Sequence, residues 1–287
     1  MSHFSVMVIG GNVEEQLAPY HEFECTGIND EFVQEIDVTK ECRESGLDWR
    51  GLEDKTVTSV SDIDTDGPHK YGFAIVDAEG NIVKAVRRTN PNAKWDWYQI
   101  GGRWSGFLKL KNGRSGLHGE RSWTNRDAPQ LSNYCDIAKK EDIDIEGMRD
   151  EAGKEAAGRW DKAHQAAGGA TWEPWSVIGP RTNYDDAARE TYASQEAVKV
   201  IRAAFDDPFH RIDQYLVSRE QFIQQARDAA LSTYALVKDG KWFAKGEMGW
   251  FGMSNDEITQ DEWNKEMNAL LDSLSDDTTI AIVDCHI

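Results

Sequence analysis

The chain predicts an α+β fold: a mixed or antiparallel sheet containing both terminal strands, with a helical layer from the middle third. Three observations predict it. The segments His3–Ile9 and Thr278–Ile287 are short, β-branched and apolar-alternating, and each is at a chain end that frays unless it is tied down. Between them, the middle third changes to helical periodicity. No fixed-period repeat or low-complexity tract divides the 287 residues, which are enough to bury a sizeable core. Residues 1–287 therefore read as a single α+β domain, with 131–232 as a helical insertion or flanking layer.

The elements follow in order. The opening strand ends at Gly10-Gly11, and Asn12 with Glu15 forms a capping pattern for a short helical turn that Pro19 limits. Residues 20–70 are acidic and weakly periodic, with a strand at Phe32–Val38 and a short helix over Thr39–Glu44. Tyr71–Val76 and Ile82–Arg87 form a hairpin across Ala78–Asn81. A second ladder is expected from Trp95–Ile100 and Trp104–Leu110, ending in the Asn112-Gly113 turn, with loop over 114–132.

Ile145, Met148, Ala152, Ala156, Trp160 and Ala163 recur at three- and four-residue steps and predict a helix over 143–167, stopped by Gly168-Gly169. Trp172 to Pro180 reads as a connector. A second helix carries Ala197, Val198, Ile201, Ala204 and Phe205, and a third starts at Ser218 and ends near Leu231. Tyr234–Val237 and Lys241–Ala244 flank the hairpin dipeptide Asp239-Gly240. The helix over 260–274 is the clearest in the chain: Thr259 and Glu262 make a capping box, and Trp263, Met267, Leu270, Leu271 and Leu274 form a stripe.

Charge excludes more than it assigns. Fifty-one acidic residues against 32 basic ones give −19, which opposes broad nucleic-acid binding. No run approaches the roughly 20 apolar residues that span a bilayer, and the N-terminus reads as a strand, not a signal peptide. Cys25, Cys42, Cys135 and Cys285 show no CxxC spacing, which suits reduced thiols in a cytoplasmic protein. One stretch inverts the charge: residues 71–130 hold ten bases and five acids, and four of the eleven tryptophans. Its cations either neutralise acidic neighbours across a sheet or form an anion pocket.

The core of that island is Lys94-Trp-Asp-Trp-Tyr-Gln-Ile-Gly-Gly-Arg-Trp-Ser-Gly-Phe107, echoed by Gly240-Lys-Trp-Phe-Ala-Lys-Gly-Glu-Met-Gly-Trp-Phe-Gly-Met253. The amides of Gly101 and Gly102 and the Arg103 guanidinium suit a phosphate or carboxylate, with Trp95, Trp97 or Trp104 stacking on a planar ligand and Arg87 or Arg88 assisting. The competing reading is a glycine bulge in a strand whose tryptophans are core.

At the C-terminus, period-two alternation places Asp284 and His286 on one strand face, where they can act as an acid–base pair. His3 joins them as a third candidate metal ligand if the terminal strands are neighbours; otherwise these polar residues simply solvate a chain end. Cys285 faces the other way and reads as structural. There is no Walker loop, GxGxxG, GxSxG or HExxH, so no motif names a cofactor.

Three segments carry a resemblance: Met1-Ser-His-Phe4; Asn90-Pro-Asn-Ala-Lys-Trp-Asp-Trp-Tyr-Gln-Ile-Gly-Gly-Arg-Trp104; and Gly246-Glu-Met-Gly-Trp-Phe-Gly-Met253 with Val283-Asp-Cys-His-Ile287. Together they resemble uncharacterised proteins encoded by tailed phages and prophages. The resemblance implies an accessory gene in a bacterial cytoplasm and carries no catalytic assignment. Two functions are then expected. One is an accessory protein acting by binding, a counter-defence factor that meets a host protein or sequesters a small anionic ligand. The alternative is an enzyme acting on a nucleotide or other phosphorylated small molecule.

Overall fold

The two terminal strands are direct neighbours. In the computed structural model the described residues are 2–23, 30–127, 129, 131–181, 184–248 and 254–287. Among them the strands are β1 (His3–Ile9), β2 (Gln34–Asp37), β3 (Thr56–Val57), β4 (Gly72–Val76), β5 (Ile82–Thr89), β6 (Trp97–Gly102), β7 (Leu108–Lys109), β8 (Glu120–Arg121), β9 (Tyr134–Cys135), β10 (Ile137–Lys139), β11 (Ala235–Lys238), β12 (Lys241–Ala244), β13 (Gly246–Met248), β14 (Ser254–Asp256) and β15 (Thr279–His286). The α-helices are α1 (Val13–Leu17), α2 (Thr39–Ser45), α3 (Ile145–Ala167), α4 (Trp175–Arg181), α5 (Asp186–Ser194), α6 (Glu196–Phe205), α7 (Arg219–Ala229) and α8 (Gln260–Ser273).

The fold is α+β, built on a mixed sheet in the order β12-β11-β1-β15-β6-β8. β1 runs antiparallel to β15, with His3 opposite His286 and Ile9 opposite Ile280, and parallel to β11. The pairing is clamped at its open end, where Ser2 and Ile287 exchange backbone hydrogen bonds of 3.0 Å in both directions. The other edge of β15 is shared: β10 covers Thr279–Ala281 and β6 covers Val283–His286. Between them, Ile282 N donates to Asp136 O at 2.9 Å, so the strand is hydrogen-bonded on both sides where its two partners meet.

Alternation sorts these residues into two cores. Phe4, Val6 and Val8 pack with Ala281, Val283, Cys285, Leu17 and Trp95 on one face. Met7, Ile9, Ile280 and Ile282 pack on the other, beneath the stripe Trp263, Met267 and Leu271 of α8 and the Leu274 that follows it. That helix opens with the expected reciprocal capping box between Thr259 and Glu262, and Trp263 Nε1 donates to Thr233 O at 2.7 Å.

Helices α3–α7 form the middle-third layer around a core of their own: Ala156, Ala163, Ile178, Val198, Ile201, Ile212, Tyr215 and Phe222. Ile145 and Met148 at the start of α3 reach the sheet core instead, which ties the layer to the sheet. A smaller sheet, β2-β5-β4-β3, packs with α2 around Val38, Cys42, Leu52, Ala74 and Ala85. No described helix is long and apolar enough to cross a membrane.

Two expectations are corrected. The 95–110 stretch is not a hairpin: β6 pairs with β15 and β8, and β7 pairs with β9. Gly101 and Gly102 have φ of +78° and +53°, which turns the chain out of the strand, and both edges of β6 are taken by distant segments. The Asn112-Gly113 turn therefore joins no paired strands. Trp172–Pro180 is likewise more than a connector. It contains α4, whose first-turn amide Trp175 N is satisfied by Asp213 Oδ2 at 2.7 Å, and an unanticipated α5 follows, capped by Asp185 on Ala188 N at 2.8 Å.

Candidate functional site

The end of the sheet farthest from α8 is polar. Register places His3 opposite His286, Ser5 opposite Asp284, and Trp97 opposite His286 on the far side. These residues share the face that the apolar core occupies further along. His3 Nδ1 lies 2.8 Å from Asp284 Oδ1, and His286 Nδ1 lies 2.6 Å from Asp96 Oδ1. An ionised carboxylate can only accept, so each Nδ1 carries the hydrogen and each Nε2 is left with its lone pair in the neutral ring. The two imidazoles stand edge to face with centroids 5.0 Å apart, and Trp97 meets His3 at 6.1 Å. Neither Nε2 has a hydrogen-bond partner among the described residues, and side-chain exposures of 16% and 13% leave both rings reachable by solvent.

Asp284 is fully buried because two elements use it. Its Oδ1 takes His3, and its Oδ2 accepts from Arg103 N at 2.9 Å. A second fully buried carboxylate, Asp136, accepts from Gly106 N at 2.5 Å, Gly119 N at 2.8 Å and Ser105 Oγ at 3.3 Å. The glycine loop thus wraps two carboxylates of the chain itself, which take the Arg103 and Gly106 amides that follow the nominated Gly101 and Gly102. The close packing explains the glycines. A Cβ on Gly101 would sit 2.7 Å from Asp136 Oδ2, and one on Gly102 would overlap the Cβ of Asp284.

The remaining candidates divide. Arg103 is exposed, its backbone joins the Asp284 cluster, and its guanidinium has no ion pair among the described residues. Asp284 therefore links the Arg103 backbone to His3, whose ring stands against that of His286. Trp104 turns inward and packs against the sheet core, while Trp97 remains 48% exposed beside the imidazoles. Arg88 belongs to the smaller sheet, where it donates to Thr65 O and Lys70 O and pairs with Glu35 at 3.9 Å. Other cations of the basic island also meet acids: Lys109 with Glu151 and Asp144, Arg114 with Asp142, and Lys94 with Glu247. Much of the island is thus neutralised internally. Of the second Trp-Gly segment, residues 249–253 lie outside the described residues, as does Cys25.

As candidate metal ligands, His3, Asp284 and His286 are adjacent but disposed as hydrogen-bonded pairs. Among the described residues, no group of three or more His, Cys, Asp or Glu could hold an ion. Cys285 is fully buried on the opposite face, and burial, then the neighbouring Asp284 charge, pushes its thiol well above the usual range. It remains a thiol and not a nucleophile.

Sequence reasoning missed Asp96, Asp136 and Asn125. Asp96 precedes the first ladder residue of β6, so strict alternation wrongly sends it away from His286. Asn125 Nδ2 holds Gly102 O at 2.9 Å and closes the loop, a contact from 23 residues away that no spacing announces. Comparison of the chain with protein-family models, curated proteins and solved structures finds no match.

Proposed function

We propose that the polar end of the sheet is an acid–base site acting on a nucleotide or another phosphorylated small molecule. The observation that carries this reading is the pair of facing imidazoles, each anchored at Nδ1 by a carboxylate. In such a pair the neutral ring uses its Nε2 lone pair to take a proton from an attacking hydroxyl or water. The protonated ring gives its Nε2 hydrogen to the departing oxygen. Asp284 and Asp96 orient the rings through their Nδ1 hydrogens. The Arg103 guanidinium supplies positive charge for the phosphoryl oxygens, and the exposed face of Trp97 offers a stacking surface.

The test is hydrolysis of a panel of nucleoside mono-, di- and cyclic phosphates, with bis(p-nitrophenyl) phosphate as a general probe. His3→Gln and His286→Gln should each lower turnover by about 10²–10⁴-fold. Both variants should melt with the parent. A parent protein that turns over none of these compounds, or a histidine variant at full rate, removes the proposal.

A second reading is carried by the net charge of −19. In a phage or prophage setting, an accessory protein with so acidic a surface meets a basic host protein and acts by binding it, as a counter-defence factor. Pull-down from bacterial lysate should then recover a stoichiometric partner that is released by raised salt. Recovery of none, or of one indifferent to salt, removes this reading.

A further inference from the structure

The helical layer contains a cleft of about 580 Å3, bounded by α5, α6 and the chain through residue 214. Its volume falls within the usual span of small-molecule sites. Aromatic faces come from Trp175, Tyr192 and Phe209, and guanidinium groups from Arg189, Arg202 and Arg211. In a chain carrying 51 acids, the lining includes a single carboxylate, Asp213. That carboxylate is already committed: it accepts from Trp172 Nε1 at 3.0 Å, Tyr192 Oη at 2.7 Å and Trp175 N at 2.7 Å.

The cations of the cleft are not matched in the same way. Arg189 pairs with Asp186, whose side chain is 95% exposed, so that bond faces water. Arg202 and Arg211 form no ion pair among the described residues. The Arg202 guanidinium lies over the Tyr192 ring at 5.6 Å, and its Nε is buried without an acceptor. A buried donor with no partner is uncommon, and it leaves the Arg202 charge without a counter-charge of the chain's own among the described residues. At the rim, Phe209 is 87% exposed, an aromatic ring with almost nothing against it.

We propose that this cleft binds a small planar aromatic anion. The ring stacks on Phe209 and Trp175, and the carboxylate, sulfonate or phosphate is held by Arg202 and Arg211. The site is separate from the paired imidazoles in sequence and in core, and its test is independent of theirs.

The probe is 1-anilinonaphthalene-8-sulfonate, titrated by fluorescence against the full chain, with the neutral N-phenyl-1-naphthylamine as control. The sulfonate should bind saturably at one site. Arg202→Gln and Arg211→Gln should each weaken it roughly tenfold or more while leaving the neutral amine unaffected, and Phe209→Ala should weaken both. Arg211 and Phe209 are exposed, so those variants should melt with the parent even if Arg202→Gln does not. Non-saturable binding, or sulfonate affinity unchanged in Arg211→Gln and Phe209→Ala, overturns the proposal.

Discussion

Deleting residues 278–287 should abolish the cooperative fold. The segment removes β15, six of whose eight residues are buried, from between β1 on one side and β6 with β10 on the other. Ile280, Ile282 and Val283 alone contribute about 1.5–3 kcal/mol each as buried side chains. The loss also uncovers the faces of Met7, Phe4 and the α8 stripe, and it strips Arg103 N and His3 of Asp284. The sum reaches the whole stability of an ordinary domain, about 5–15 kcal/mol. Thermal denaturation followed by circular dichroism should show no sigmoidal transition, and most of the truncated chain should be insoluble. A soluble truncation with the parent's melt would mean that the sheet does not depend on its central strand.

Gly102→Ala should be the most damaging single substitution of the loop. The residue has φ of +53°, where a non-glycine residue costs roughly 1–2 kcal/mol. Its new methyl would overlap the Asp284 Cβ and approach Cγ to 2.9 Å. A Cβ is fixed to its strand backbone, so the relief must come from moving β6 or β15, at about 1–3 kcal/mol for overpacking. We expect a total loss of about 2–5 kcal/mol in urea denaturation, with the His3–Asp284 contact disturbed as well. Gly113→Ala is the control: it also has positive φ, but nothing lies within 4 Å of the added methyl, so only the backbone cost should appear. Equal losses in the two variants would show that the carboxylate does not press on Gly102.

What could be read from the sequence was whatever depends on neighbours along the chain. The α8 capping box and stripe lie within one helix, and Thr259, Glu262 and Trp263 declare it without reference to anything else. The alternation of β1 and β15 shows which residues share a face, and from that His3, Asp284 and His286 could be nominated together. What could not be read depends on partners far away. The Trp-Gly motif looks like a local hairpin because its glycines suggest a turn, yet they are required by Asp136 and Asp284, 35 and 182 positions downstream of Gly101 and Gly102 respectively. Arg88 and Arg103 look alike within one basic island, but Arg88 lies in the smaller sheet and Arg103 in the turn after β6. Helix α5 shows only Ala188 and Tyr192 as buried positions, too faint a stripe to stand out from sequence around it.

The pairing of β1 with β15 also sets the order of events during synthesis. His3 and Asp284 are 281 positions apart, so at ribosomal speed β1 waits on the order of tens of seconds for its antiparallel neighbour. Both edges of β1 stay open until β11 is made, and one stays open until β15 follows, each a template for joining any other strand nearby. The helical layer needs α3 against α7, and α7 is complete before β15 is made, so the layer can close first. The two imidazoles, contributed by β1 and β15, can therefore meet only after the helical layer has been synthesised.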